Sequence, residues 1–294
     1  MNIPTKELKN GFELPVYGLG LWEMGGRWES DDSKDNTEMT ALTAALEAGI
    51  THFDTAESYG DGHAETLLGQ AIKGCERSKL IIATKVSAPH QSYDGIRRSF
   101  EASLKRLETD YVDLYMLHRY PKVGIPIADT MKALDELVDQ GVIKNIGVCN
   151  MSVNRFKEAQ KHTKNQLVCN QVHYNVQYRE MEDKGVLQYC QDNDILLVAW
   201  RPLQKGTLLQ APILNDLAKK YNKTPAQIVI NWLTSQNNVV TLSKTSNVEH
   251  LKENLGAIGW VMDVEDIERI RKEFPDQRKV SDAVPLNYEA DVEA

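Results

Sequence analysis

Short apolar runs rich in β-branched residues alternate along this chain with stretches whose apolar positions recur at helical spacing. The runs predict strands at 16–21, 50–53, 80–84, 112–116, 143–148, 167–171, 195–199 and 239–242. The amphipathic stretches predict helices at 37–48, 63–73, 93–107, 127–140, 153–161, 184–192, 225–235 and 248–258. Ser152 stands where a helix N-cap belongs, and Thr224-Pro225 puts proline at a first helical position. Gly49 and Gly141 each follow a helical stretch and precede a strand, as helix stops do. Strict alternation of eight strands and eight helices predicts an α/β fold, a parallel (β/α)8 TIM barrel formed by one domain over 1–294.

Further segments decorate that repeat. Residues 6–15 read as a hairpin able to plug the barrel floor, and 211–221 and 263–273 as additional helices. Residues 276–294 form a polar tail without periodicity, expected near the barrel mouth. A doubly wound sheet is the competing architecture. It calls for a glycine-rich fingerprint after the first strand, and Gly18-Leu19-Gly20 lacks the third glycine, with Glu23 in its place.

Composition narrows the class. Hydrophobic residues make up 41% and charged residues 26% of the 294, and the net charge is -8. An acidic surface disfavours nucleic acid and anionic membranes as partners. The opening Met1–Glu7 stretch has no apolar core, so no secretory leader is expected. Cys75, Cys149, Cys169 and Cys190 have no CxxC or zinc-type spacing and read as reduced thiols, which predicts a cytoplasmic protein without a metal.

Four polar residues follow strand-like runs. They are Asp54 and Tyr59 in Phe53-Asp54-Thr55-Ala56-Glu57-Ser58-Tyr59, Lys85 after Ile81-Ile82-Ala83-Thr84, and His118 after Met116-Leu117. Reduction of a carbonyl needs a proton donor, a cation that lowers the donor's pKa, a carboxylate that holds the cation, and a group that orients the oxygen. Tyr59, Lys85, Asp54 and His118 supply those types in turn. In order, flanks and spacing they resemble the catalytic tetrad of the aldo-keto reductases.

That resemblance runs over nearly the whole chain and implies NADPH-dependent reduction of small-molecule aldehydes or ketones by a monomer or small homo-oligomer. It implies that Asn150 and Gln171 reach the nicotinamide amide and that Trp200, followed by Pro202 and Leu203, stacks on the ring. It further implies that Lys244 and Thr245 hold the adenosine 2′-phosphate and Glu253 and Asn254 the adenine. Three positions depart from the family pattern: Cys149 and Arg201 replace serines, and His250 replaces an arginine. Histidine grips phosphate less well than arginine, so the bias toward NADPH is expected to be weaker and NADH to be accepted. Trp22 is expected to line the substrate pocket, with Tyr120 and Trp28 as further candidates. Two rival functions remain: a nucleotide-binding, redox-sensing subunit with little turnover, and a phosphosugar-type barrel without nicotinamide.

Overall fold

The computed structural model describes residues 2–286, so Asn287 and Tyr288 lie outside the described residues. Two short strands, β1 (Thr5–Glu7) and β2 (Glu13–Pro15), pair antiparallel. The barrel strands follow: β3 (Tyr17–Gly20), β4 (His52–Asp54), β5 (Ile81–Val86), β6 (Val112–Leu117), β7 (Ile143–Cys149), β8 (Leu167–His173), β9 (Leu196–Trp200) and β10 (Val239–Ser243). They pair in parallel in chain order, and β10 pairs with both β9 and β3 to close the barrel.

Leu8, Phe12 and Leu14 of the hairpin belong to the same buried apolar cluster as the inward residues Ala83, Leu114, Met116, Cys149, Cys169, Leu196, Val198, Val240 and Leu242. The hairpin therefore stoppers one end of the barrel. Two glycines make room for large neighbours inside. A Cβ at Gly18 would lie 2.7 Å from the His52 ring, and one at Gly147 would lie 2.5 Å from Cys169 Sγ. Every site residue found at the carboxyl ends of these strands rests on this packed interior.

The helices are α1 (Asp35–Glu47), α2 (His63–Ala71), α3 (Tyr93–Leu107), α4 (Ile127–Asp139), α5 (Val153–Lys161), α6 (Glu180–Asp183), α7 (Val186–Asp192), α8 (Pro212–Tyr221), α9 (Pro225–Thr234), α10 (Val248–Leu255) and α11 (Val264–Glu273). Ser152 caps α5 through the Arg155 amide, and Thr224 and Gln227 form a reciprocal capping box on α9. The helix expected over 184–192 differs. Gly185 adopts φ +70, the left-handed region, and separates α6 from α7. None of the helices is long and apolar enough to cross a membrane among the described residues.

Beyond α11 the chain returns over the carboxyl end of β8. The backbones of Gln177 and Arg179 bond that of Arg278. Glu180 is buried, and its two carboxylate oxygens each accept a backbone N–H at 2.8 Å, from Ser281 and from Leu286. Glu180 thus ties this strap at two points. Glu180→Ala leaves two buried donors without partners, and the expected loss is about 2–4 kcal/mol of stability. Urea unfolding would check it, through a lowered midpoint at unchanged slope.

Candidate active site

Alternation along each strand decides which side chains reach the barrel axis. On β5, Ala83 belongs to the interior cluster, so Lys85, two residues on, also points inward. Its ammonium is fully buried. Nζ donates to Asp54 Oδ1 at 2.7 Å, to the Thr55 carbonyl at 2.7 Å and to the Tyr59 hydroxyl oxygen at 3.1 Å. All three ammonium protons are thereby matched. The second Asp54 oxygen accepts from Gln171 Nε2 at 2.9 Å. His118 completes the group, edge-on to the Tyr59 ring with centroids 5.6 Å apart. The four residues expected as a tetrad are brought together.

The loop carrying Tyr59 is fixed at several points. Glu57 accepts from the Ser87 amide at 2.7 Å and meets His90 Nδ1 at 2.9 Å. Gly60, at φ +55, lies so close to the neighbouring turn that a Cβ would stand 2.1 Å from the Gly25 carbonyl oxygen. Only glycine fits there.

The electrostatics follow from burial and from the Lys85 and Arg119 charges. Burial pushes the Tyr59 hydroxyl up to about 12; the Lys85 charge opposes this and Asp54 adds to it. Lys85 thus lowers the phenol's pKa, as the residue types suggested, but desolvation is the larger effect. Burial alone would lower the Lys85 pKa, yet the Asp54 carboxylate and Tyr59 outweigh it and hold the ammonium charged. His118 is held well below the ordinary histidine value by burial, then by the charges of Lys85 and Arg119. Burial also raises the Cys149 thiol, so it stays protonated beside Met116 and Gln171.

The residues expected to hold a nucleotide fall into two groups. Near the tetrad, Trp200 Nε1 donates to Asn150 Oδ1 at 3.2 Å, and Asn150 turns out of β7 with φ +56. Trp200 is half-buried, one face stacked on His173 at 4.5 Å and 17°. Gln171 bonds Asp54, and Leu203 is half-buried just past β9. At the outer rim, Lys244 is exposed and bonds Ser246 Oγ at 3.3 Å, while His250 is exposed on the first turn of α10. Thr245 and Asn254 are buried. The Thr245 hydroxyl donates to the Asn247 carbonyl, and Asn254 Nδ2 donates to Ser243 Oγ at 3.1 Å. Glu253 is half-buried between them and solvent. A half-buried flat indole beside two amides, and an exposed lysine just ahead of a helix N-terminus, suit a nicotinamide ring and a phosphate respectively.

On the open side, Trp22 stands edge-on to Tyr59 at 4.9 Å and to Trp28 at 4.8 Å. Tyr120 is half-buried under the Arg155 guanidinium. Two contributors escaped the sequence reading. The Thr55 carbonyl gives no side-chain signal at all. His173, clamped between Trp200 and Tyr178, was legible: it lies two residues after Gln171 on the same strand, so both face one way. Arg201, which departs from the family pattern, pairs with Asp282 of the strap at 3.1 Å. Among the described residues no group of three or more His, Cys, Asp or Glu side chains is placed to hold a metal ion.

The Aldo/keto reductase family model matches residues 17–273. The glyoxal reductase of Bacillus subtilis (strain 168) is 33% identical over 276 residues, 93% of this chain and 94% of that protein. The methylglyoxal reductase YeaE of Escherichia coli (strain K12) is 32% identical over 268 residues, 89% of this chain and 92% of that protein. Among solved structures, a thermostable aldo-keto reductase in complex with the inhibitor epalrestat superposes with a TM-score of 0.89 at 41% identity, covering 92% of this chain and 99% of that one. An aldo/keto reductase from Klebsiella pneumoniae, solved with NADP and acetate, gives 0.84 at 32% identity, covering 95% and 98%. The chain belongs to the aldo/keto reductase family and is an oxidoreductase.

Proposed function

We propose that this protein reduces small aldehydes and ketones, short dicarbonyls such as methylglyoxal among them, to alcohols with NADPH, and that Tyr59 is the general acid. One observation carries the reading. Lys85 donates to the Tyr59 hydroxyl oxygen at 3.1 Å, so the hydroxyl keeps its own hydrogen for a substrate. Bound NADPH supplies the hydride that reaches the carbonyl carbon. Tyr59 gives its proton to the carbonyl oxygen as charge develops there, and Lys85 stabilises the phenolate that remains. Asp54 holds Lys85 in place. His118, kept neutral, donates a hydrogen bond that orients the oxygen. Solvent then returns a proton to Tyr59.

Asn150, Gln171 and Trp200, with Leu203 beside them, form the nicotinamide end of the cofactor groove. Lys244, Thr245, His250, Glu253 and Asn254 form its adenosine end, with Lys244 reading the 2′-phosphate as a point charge. Relatives solved with NADP or NADPH support that cofactor. One domain, acting in the cytoplasm as a monomer or small homo-oligomer, fits the net charge of -8 and the four free cysteines.

Three measurements test the assignment. Tyr59→Phe keeps the ring and removes the proton, and turnover of methylglyoxal is expected to fall about a hundredfold or more, with NADPH binding unchanged. Near-normal turnover would remove Tyr59 as the acid.

The pH profile is a second check. His118 is held neutral well below 6.5 and Tyr59 protonated up to about 12. The kcat/KM for reduction is therefore expected to stay level from about pH 5.5 to 8.5. An acid limb centred on the ordinary histidine value would contradict the environment described for His118.

Cofactor choice is the third. Lys244→Ala is expected to weaken NADPH binding by about tenfold, the scale of one charge-assisted contact, and NADH binding by much less. Fluorescence titration with both nucleotides decides it, and equal weakening would show that Lys244 does not read the 2′-phosphate.

A further inference from the structure

Trp200 is backed by two further rings. His173 stacks on it at 4.5 Å and 17°, and Tyr178 stacks on His173 at 4.5 Å and 24°. The middle ring is 3% exposed. Stacking sets the tilt of a ring but leaves it able to slide in its own plane.

Hydrogen bonds in the plane of His173 remove that freedom. Asp282 Oδ2 can only accept, so Gln204 turns its amide nitrogen to it at 3.0 Å. The Gln204 oxygen is thereby left to His173 Nε2, 3.1 Å away, which carries the ring hydrogen. Ser281 Oγ lies 2.8 Å from Nδ1. That oxygen already accepts from the Ala283 and Val284 amides at 3.2 and 3.0 Å, so its own hydrogen goes to Nδ1. Asn175 Nδ2, 3.4 Å from Nε2, donates to the Arg201 carbonyl at 2.9 Å instead. Both ring nitrogens are satisfied in one tautomer, and burial lowers the ring's pKa to about 4, which keeps it neutral.

The indole has less to hold it. Its Nε1 donates to Asn150 Oδ1 at 3.2 Å, which fixes an edge and not a plane. The Arg201 guanidinium, 5.9 Å from the indole centroid, is engaged by Asp282 Oδ1 at 3.1 Å. The tilt of the indole therefore comes from His173.

We propose that His173 is a positioning residue for the reduction: it backs Trp200 and holds the indole plane on which the nicotinamide is seated. The inference rests on the carbonyl reduction and the Trp200 contact proposed above. A nicotinamide seated on a tilted plane meets the carbonyl out of line, and misplacement of that kind costs up to about a hundredfold in rate. NADPH affinity and kcat depend on the plane, whereas contacts to methylglyoxal do not.

The test pairs two substitutions that both keep the slot filled. His173→Gln retains polar atoms able to bond Ser281 and Gln204 but removes the flat ring. His173→Phe retains the ring and loses both bonds. Fluorescence titration reads NADPH affinity, and turnover of methylglyoxal gives kcat and KM. His173→Gln is expected to weaken NADPH binding about fivefold to tenfold, the scale of one aromatic contact, and to lower kcat about tenfold with KM for methylglyoxal unchanged. His173→Phe should stay within about threefold of the unaltered protein on each measure. A residue that only ties the strap predicts the reverse order of the two variants. That order, or no loss in His173→Gln, overturns the inference. Trp200→Ala separates the two readings. If it weakens NADPH binding while His173→Gln does not, the role of His173 alone falls. If it binds NADPH normally, the Trp200 contact falls as well.

Discussion

One buried ion pair organises the catalytic end of this barrel. Lys85 and Asp54 have almost no contact with water, and two such charges are costly to bury unless every hydrogen bond is completed. Here each ammonium proton goes to a different piece of chain: a strand-end carboxylate, the next residue's carbonyl, and a phenol on the loop beyond. The bond from Gln171 to the other carboxylate oxygen ties in a strand from across the barrel. Removing either ion would strand the other in a dry interior. The pair thus serves as the fixed point from which Tyr59 and the Gln171 amide are positioned.

Much of this was legible because parallel strands alternate strictly. Lys85, Gln171 and Trp200 each stand two residues after a smaller apolar partner on the same strand, Ala83, Cys169 and Val198. Knowing that those partners fill the interior fixes the direction of the others. What escaped depends on contacts between distant segments. Nothing local says that Asn254 turns inward to Ser243, or that the Thr245 hydroxyl is satisfied by the Asn247 carbonyl within its own turn. The split near Gly185 escaped for another reason. The apolar pattern of α7 continues smoothly back through a glycine whose left-handed backbone interrupts the helix.

The departures at Cys149 and Arg201 also acquire physical content. Cys149 occupies an inward position where a hydroxyl would form stronger hydrogen bonds. Its weak contacts to Met116 and to the Gln171 carbonyl leave that amide oriented chiefly by Asp54. Arg201 is bent into the left-handed region and reaches Asp282, beside the point where His173 meets Ser281. The strap therefore touches both the residue under the Trp200 ring and the residue that follows it.

The hairpin that closes the barrel floor has a practical consequence for anyone handling the protein. With Leu8, Phe12 and Leu14 filling that end, the barrel is a cup with a single opening. Small molecules come and go on the face where the strands end, and the two ends of the described chain lie on opposite sides of it. A label or fusion joined ahead of Thr5 hangs beneath the cup. One joined to the chain beyond Leu286 follows a backbone that Glu180 secures on the side where the strands end. Attachment and immobilisation chemistry therefore belong at the amino-terminal side.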